Sequence, residues 1–214
     1  MPPRIDPASL PRFPNLLFEK KFWKQGVTMI GGVDEAGRGS LAGPVTAAVV
    51  VLPPKSNIKR KLSKVRDSKQ MSPRMRELWA ITIHEVCLSW AVGFAEVEEI
   101  DSLGIIPATR LAVLRALEKL PDAPDHLITD YLLLPDIPIP QTSLIKGDRR
   151  SLSVAAASVL AKTSRDAFMR VMDKEHPGYG FGQHKGYGTR GHREAITELG
   201  LSPIHRRSFQ FRKL

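Results

Sequence analysis

Val33-Asp34-Glu35-Ala36-Gly37-Arg38-Gly39-Ser40-Leu41-Ala42-Gly43-Pro44 sets two adjacent acids ahead of an arginine flanked by glycines, between two apolar runs. The first run, Val27–Val33, reads as a buried strand that delivers Asp34; the second, Val45–Leu52, reads as its hairpin partner and is stopped by Pro53-Pro54. Side chains alternate across a strand, so Asp34 and Glu35 can serve one site only if the strand breaks at that point. The glycines that follow permit such a break.

Working outward, residues 1–14 hold five prolines and read as an extended, poorly ordered lead-in, followed by a short helix over Leu16–Gln25. Lys55–Lys69 reads as a basic loop. Ser72-Pro73 then opens a helix through Val86, with serine as the cap and proline in the first turn. Leu88–Glu96 alternates as a third strand, and Ile100-Asp101 leads into a helix around Ala108–Leu120. His126–Asp130 is a fourth strand ending in an acid, Ser143–Lys146 a short fifth, and Ser151–Met172 a long helix carrying Asp166. The pattern predicts an α/β fold: a mixed five-stranded sheet with helices on both faces. A helical crossover lets the fourth strand run parallel to the first, which would bring Asp34 and Asp130 out at the same end of the sheet. The strand order itself is not in the pattern. Residues 1–26 are expected to form the lead-in and short helix, and 27–214 one domain.

At 214 residues and 42% hydrophobic composition the chain can bury a substantial core. Its net charge of +10 points to a polyanionic partner, nucleic acid or an acidic membrane surface, with a merely solvated basic surface as the plainer alternative. The N-terminus has no apolar signal region and no segment is long enough to span a bilayer, so the expected setting is neither exported nor membrane-embedded. One cysteine, Cys87, excludes an intramolecular disulfide and a cysteine-built zinc site, and fits a reducing cytoplasm.

Asp34, Glu35, Asp130 and Asp166 come from three distant segments. In a basic protein such a cluster would repel itself unless cations sit within it. Carboxylate oxygens suit Mg²⁺ or Mn²⁺, and a pair of such ions can activate water and stabilise the leaving oxygen of a phosphodiester. For any one acid taken alone, a surface or capping role is the ordinary alternative. Ser158, Lys162 and Asp166 are spaced by four and share a helix face; a simple Lys162–Asp166 surface pair would explain part of that pattern.

Six motifs in order resemble bacterial ribonuclease HII, the type 2 RNase H family. They are Asp34–Gly39, Asp67-Ser68-Lys69, Lys146-Gly147-Asp148, Ala161-Lys162 to Arg165-Asp166, His184–Thr189, and Pro203–Arg206 followed by Ser208-Phe209. The resemblance implies an RNase H-like fold and a monomeric endonuclease that hydrolyses the RNA strand of RNA/DNA hybrids. It also implies incision 5′ of single ribonucleotides embedded in duplex DNA, by two-metal catalysis leaving a 3′-hydroxyl and a 5′-phosphate. It assigns Asp34, Glu35, Asp130 and Asp166 to the metals, Gly37-Arg38-Gly39 to the ribose 2′-hydroxyl, Tyr187 to the junction sugar, and Lys69, Lys146, Ser158 and Lys162 to phosphates. Tyr131, beside the third acid, departs from the family's small residue and would either crowd the site or turn away. The rival readings are a basic nucleic-acid-binding protein without catalysis and a ribonuclease HIII-like hybrid nuclease. Only about 26 residues precede the first strand, too few for the extra N-terminal domain of the latter.

Overall fold

The computed structural model describes residues 5–55 and 57–209; residues 1–4 of the expected lead-in, and residue 56 and the last five of the expected 27–214 domain, lie outside them. The elements run α1 (Leu17–Trp23), β1 (Ile30–Ala36), β2 (Val45–Val51), α2 (Ile58–Lys61), α3 (Pro73–Val86), β3 (Ser89–Ala95), α4 (Val97–Leu103), α5 (Ile105–Glu118), β4 (His126–Asp130), β5 (Gln141–Leu144), α6 (Gly147–Arg150), α7 (Leu152–Glu175), α8 (Phe181–His184) and α9 (Arg190–Leu199). The strands form one sheet in the order β3-β2-β1-β4-β5. β1 and β2, and β2 and β3, pair antiparallel, whereas β1–β4 and β4–β5 are parallel. This is the mixed five-stranded sheet that the pattern predicts, and it agrees with the RNase H-like fold that the resemblance implies.

Every residue of β2 is buried, because helices cover both faces of the sheet. Val45, Ala47 and Val49 face a core with Ala108, Ala112 and Ala116 of α5, while Ala48 and Val50 face a second core with Ala155, Ala156 and Val159 of α7. The alanines let both helices lie close. At Gly32 a Cβ would stand 2.2 Å from the backbone carbon of Ser153, so only glycine lets α7 start against β1. That start is fixed by Glu19 of α1, whose Oε1 accepts bonds from Ser151 Oγ, Ser153 Oγ and the Ser153 amide.

Three expectations are corrected. The strand does not break at Asp34-Glu35: pairing with β2 continues through Ala36↔Thr46. What stops is the other ladder, because pairing with β4 ends at Val33↔Thr129. The acids therefore lie just past the last bonded pair with β4, Asp34 level with Asp130, and the Glu35 amide turns to Asp34 Oδ1 at 2.8 Å. The helix around Ala108–Leu120 is the second of two, divided from α4 by Gly104 at φ +84°. The basic loop contains α2, whose Ile58 enters the core together with Leu62 and Val65.

Candidate active site

Asp34 and Asp130 leave the C-terminal ends of parallel neighbours. Asp148 joins them from α6, which the Gly147 amide ties to Asp130 Oδ1 at 2.7 Å. Burial, and then the negative charges of Glu35, Asp130 and Asp148, hold the Asp34 carboxyl well above the usual carboxylate range, opposed by the Ser158 hydroxyl. Burial raises Glu35 as well, against the Arg38 guanidinium that bonds its Oε1 at 3.0 Å. Asp130 is raised by burial against the Gly147 amide. Asp148 is pushed up to about 7 by burial, Asp130 and Asp67. Burial alone would lower Lys69, yet Asp67, Asp34, Asp148 and Asp130 together raise it. Two buried acids, Asp34 and Asp148, and two half-buried ones, Glu35 and Asp130, thus share a region where negative charge exceeds positive.

The structure does not place Asp166 with them. It is buried on α7, with Arg76 Nη2 at 3.2 Å from one oxygen and Lys162 Nζ at 2.6 Å from the other. The carboxylate that sequence reasoning passes over is Asp148. Its signal is its place directly after Lys146-Gly147, in a segment that draws attention for its lysine.

Beside the acids lies a cleft of about 240 Å³ lined by Asp34, Glu35, Gly37, Arg38, Gly39, Ser68, Lys69, Ser158, Lys162 and Tyr187 among others. Nine of the twelve expected residues therefore share one wall-to-wall space. Of the rest, Asp130 adjoins it through its charge on Asp34, Lys146 is exposed and acts on Asp130, and Asp166 grips Lys162 from behind. The loop bearing Gly37-Arg38-Gly39 is pinned by two buried arginines that sequence reasoning does not single out. Arg165 donates to the carbonyls of Pro44, Ala42 and Lys185 and to Ser40 Oγ; Arg206 donates to those of Gly43 and Arg38. Gly37 sits at φ +94°, and a Cβ there would fall 2.0 Å from Arg165 Nε, so both its conformation and its contact demand glycine. Tyr187 is half-buried over the Lys162 ammonium at 5.4 Å and the Arg165 guanidinium at 5.5 Å. Tyr131 turns away, 52% exposed at φ +50°, and is not among the residues lining the cleft.

The histidines brace this wall. His192 Nδ1 donates to the Tyr187 carbonyl, and its bare Nε2 accepts from His205 Nε2, whose Nδ1 in turn accepts from the Ser202 amide. Each ring has one proton to give and one lone pair to fill, so a further proton has nowhere to go. Burial holds both at about 4. A histidine with a lowered folded pKa contributes stability that is present above about 6.5 and is lost as pH falls toward 4. In an NMR titration of the imidazole C–H protons, His192 and His205 should stay neutral through pH 5; either ring titrating near 6.5 would contradict this tautomer chain.

The acids offer only hard oxygen donors. As the side chains stand, no three histidine, cysteine or acidic groups among the described residues are gathered closely enough to hold a metal ion. The fit to a divalent cation rests instead on charge and on Glu35 Oε2, a buried carboxylate oxygen with no hydrogen-bond partner. On those grounds the residues suit Mg²⁺ or Mn²⁺.

Known proteins share this arrangement of chain. Ribonuclease HII of Dehalococcoides mccartyi (strain 195) is 49% identical over 191 residues, 89% of this chain and 90% of its own. A ribonuclease HII of Thermus thermophilus is 51% identical over the same shares. The solved structure of ribonuclease H2 from Pyrococcus horikoshii OT3 aligns with a TM-score of 0.66 at 24% identity, covering 85% of this chain and 93% of that one, a likeness of fold. The family model for ribonuclease HII matches residues 31–212, a span that takes in every acid and every wall of the cleft. With half of its residues shared with such relatives across nine-tenths of their length, the chain belongs to the ribonuclease HII family.

Proposed function

We propose that this RNA/DNA-hybrid endonuclease also incises 5′ of single ribonucleotides in duplex DNA, and that Asp34, Glu35, Asp130 and Asp148 hold two divalent cations for the reaction. The observation that carries the reading is the set of four acids, Asp34 and Asp148 buried and Glu35 and Asp130 half-buried, at the open end of β1 and β4, beside a cleft that also holds Arg38, Lys69, Lys162 and the glycines of the Gly37–Gly39 loop. Bound there, Mg²⁺ or Mn²⁺ would polarise a phosphate oxygen and lower the pKa of a water. The chain's own part is positional. Lys69 and Lys162 line the cleft where phosphates of the cleaved strand approach, and the Gly37–Gly39 backbone stands where a ribose 2′-hydroxyl can be tested. Tyr187 offers a ring face to a sugar and a hydroxyl at its rim. A non-catalytic binder would gain nothing from carboxylates where phosphates must come close. No helix among the described residues is long and apolar enough to cross a membrane; action as a cytoplasmic monomer and a single catalytic domain over 27–214 belong to the same proposal.

An end-labelled duplex with one ribonucleotide, incubated with and without Mg²⁺, tests the reading. Metal-dependent incision 5′ of the ribose, leaving a 3′-hydroxyl, is expected; cleavage of long hybrids alone would favour the hybrid-only alternative. Lys146, exposed beside Asp130, should contribute one phosphate contact. Lys146→Ala should reduce the salt slope of hybrid binding by about one unit. An unchanged slope in a filter-binding titration would return Lys146 to the solvated surface.

A further inference from the structure

Asp166 has both carboxylate oxygens engaged, and both partners lead to the cleft. Through Oδ1 it holds Lys162 Nζ, which lies over the Tyr187 ring. Through Oδ2 it holds Arg76 Nη2, and the same guanidinium donates from Nη1 to the carbonyls of Ser68 at 3.0 Å and Met71 at 2.7 Å. Those carbonyls flank the tight turn Ser68–Gln70 that presents Lys69 to the acids. Ser158 and Asp67 tie the turn further: Ser158 Oγ meets Ser68 Oγ at 2.9 Å and accepts the Ser68 amide at 3.4 Å, and Asp67 Oδ1 accepts the Lys69 amide at 2.9 Å. Arg76 is itself buried on α3.

We propose that Asp166 is a positioning residue that, with Arg76, fixes the two cationic walls of the cleft, Lys162 directly and Lys69 through the Ser68–Gln70 turn. The proposal deepens the reading of the cleft as the phosphate site and rests on it. A planar guanidinium suits the task because its fork serves a carboxylate on one edge and two carbonyls on the other. Two long lysine stems left to roam would have to be ordered by the substrate at each encounter, which weakens binding while leaving the reacting groups in place.

The test compares Asp166→Asn, Arg76→Lys and Asp148→Asn. Metal binding is read by calorimetry with Mn²⁺ alone, and cleavage of a hybrid is resolved into kcat and KM. Asp166→Asn and Arg76→Lys should bind Mn²⁺ within about twofold of wild type and raise KM at least tenfold with a smaller change in kcat. In the Asp166→Asn background, Lys162→Ala should add less than about a third of the fold-loss in kcat/KM that it causes alone, because the two act together. Should Asp166→Asn fold poorly, Arg76→Lys keeps the charge against Asp166 while giving up the fork, and its KM decides. Loss of Mn²⁺ binding by Asp166→Asn would overturn the proposal in favour of a ligand role, and an unchanged KM in both variants would overturn it in favour of simple packing. Retention of full Mn²⁺ binding and cleavage by Asp148→Asn would instead refute the metal-site reading, an outcome separate from the KM result.

Discussion

Asp34→Asn should slow hybrid cleavage by more than about a thousandfold in Mg²⁺, ~4 kcal/mol of transition-state stabilisation, while hybrid binding changes only a few-fold. The amide keeps the carboxylate's shape and removes the charge that would hold a cation, so the loss falls on the chemical step. The same substitution should not destabilise the metal-free protein. Asp34 is an acid whose folded pKa lies above its unfolded one, so its ionised form costs stability at neutral pH, and a neutral isostere removes that cost along with the repulsion from Glu35, Asp130 and Asp148. Thermal melts without metal should therefore show Asp34→Asn at or above the wild-type Tm. A variant keeping more than about a tenth of the rate, a loss under about 1.4 kcal/mol, would remove Asp34 from the metal site.

Tyr187→Ala should lower kcat/KM far more on a duplex carrying one ribonucleotide than on a long hybrid. The ring lies at the cleft wall over Lys162 and Arg165, and losing it frees the sugar it would pack against; misplacement by about 1 Å can cost on the order of a hundredfold. A run of ribonucleotides offers other registers and so suffers less. The fold should survive, since Arg165 keeps four hydrogen-bonding partners without the ring. Tyr187→Phe separates ring from hydroxyl. Equal losses on both substrates would make Tyr187 general binding surface.

The sheet is legible in the sequence because its signals are local: β2 is an unbroken apolar run, β4 ends on its acid, and Ser72-Pro73 caps α3. The last helix is hard to see there because only His192 and Ile196 are buried along it, and a histidine does not count toward apolar periodicity. The site is legible where motif and strand end coincide, as at Asp34 and Glu35. Asp166 and Asp148 cannot be told apart by spacing, since each follows basic residues near α7. Only the fold shows that Arg76, ninety residues away in sequence, already occupies Asp166. Arg165 and Arg206 stand within quoted motifs, but their anchoring role is hidden for the same reason, their partners being mainly carbonyls distant in sequence rather than charges.

Those two arginines have a consequence for how the enzyme comes into being. The glycine loop is made early, beside β1, but its anchors reside 121 and 163 residues later in the chain, in the bonds of Arg165 to Pro44 and of Arg206 to Gly43. A nascent polypeptide still emerging from the ribosome can close its sheet while this loop lacks its second anchor. On the proposed reading of that loop, ribose selection would be complete only when residue 206 docks, so a growing or truncated chain would possess the acids before it possessed the means to choose where they cut.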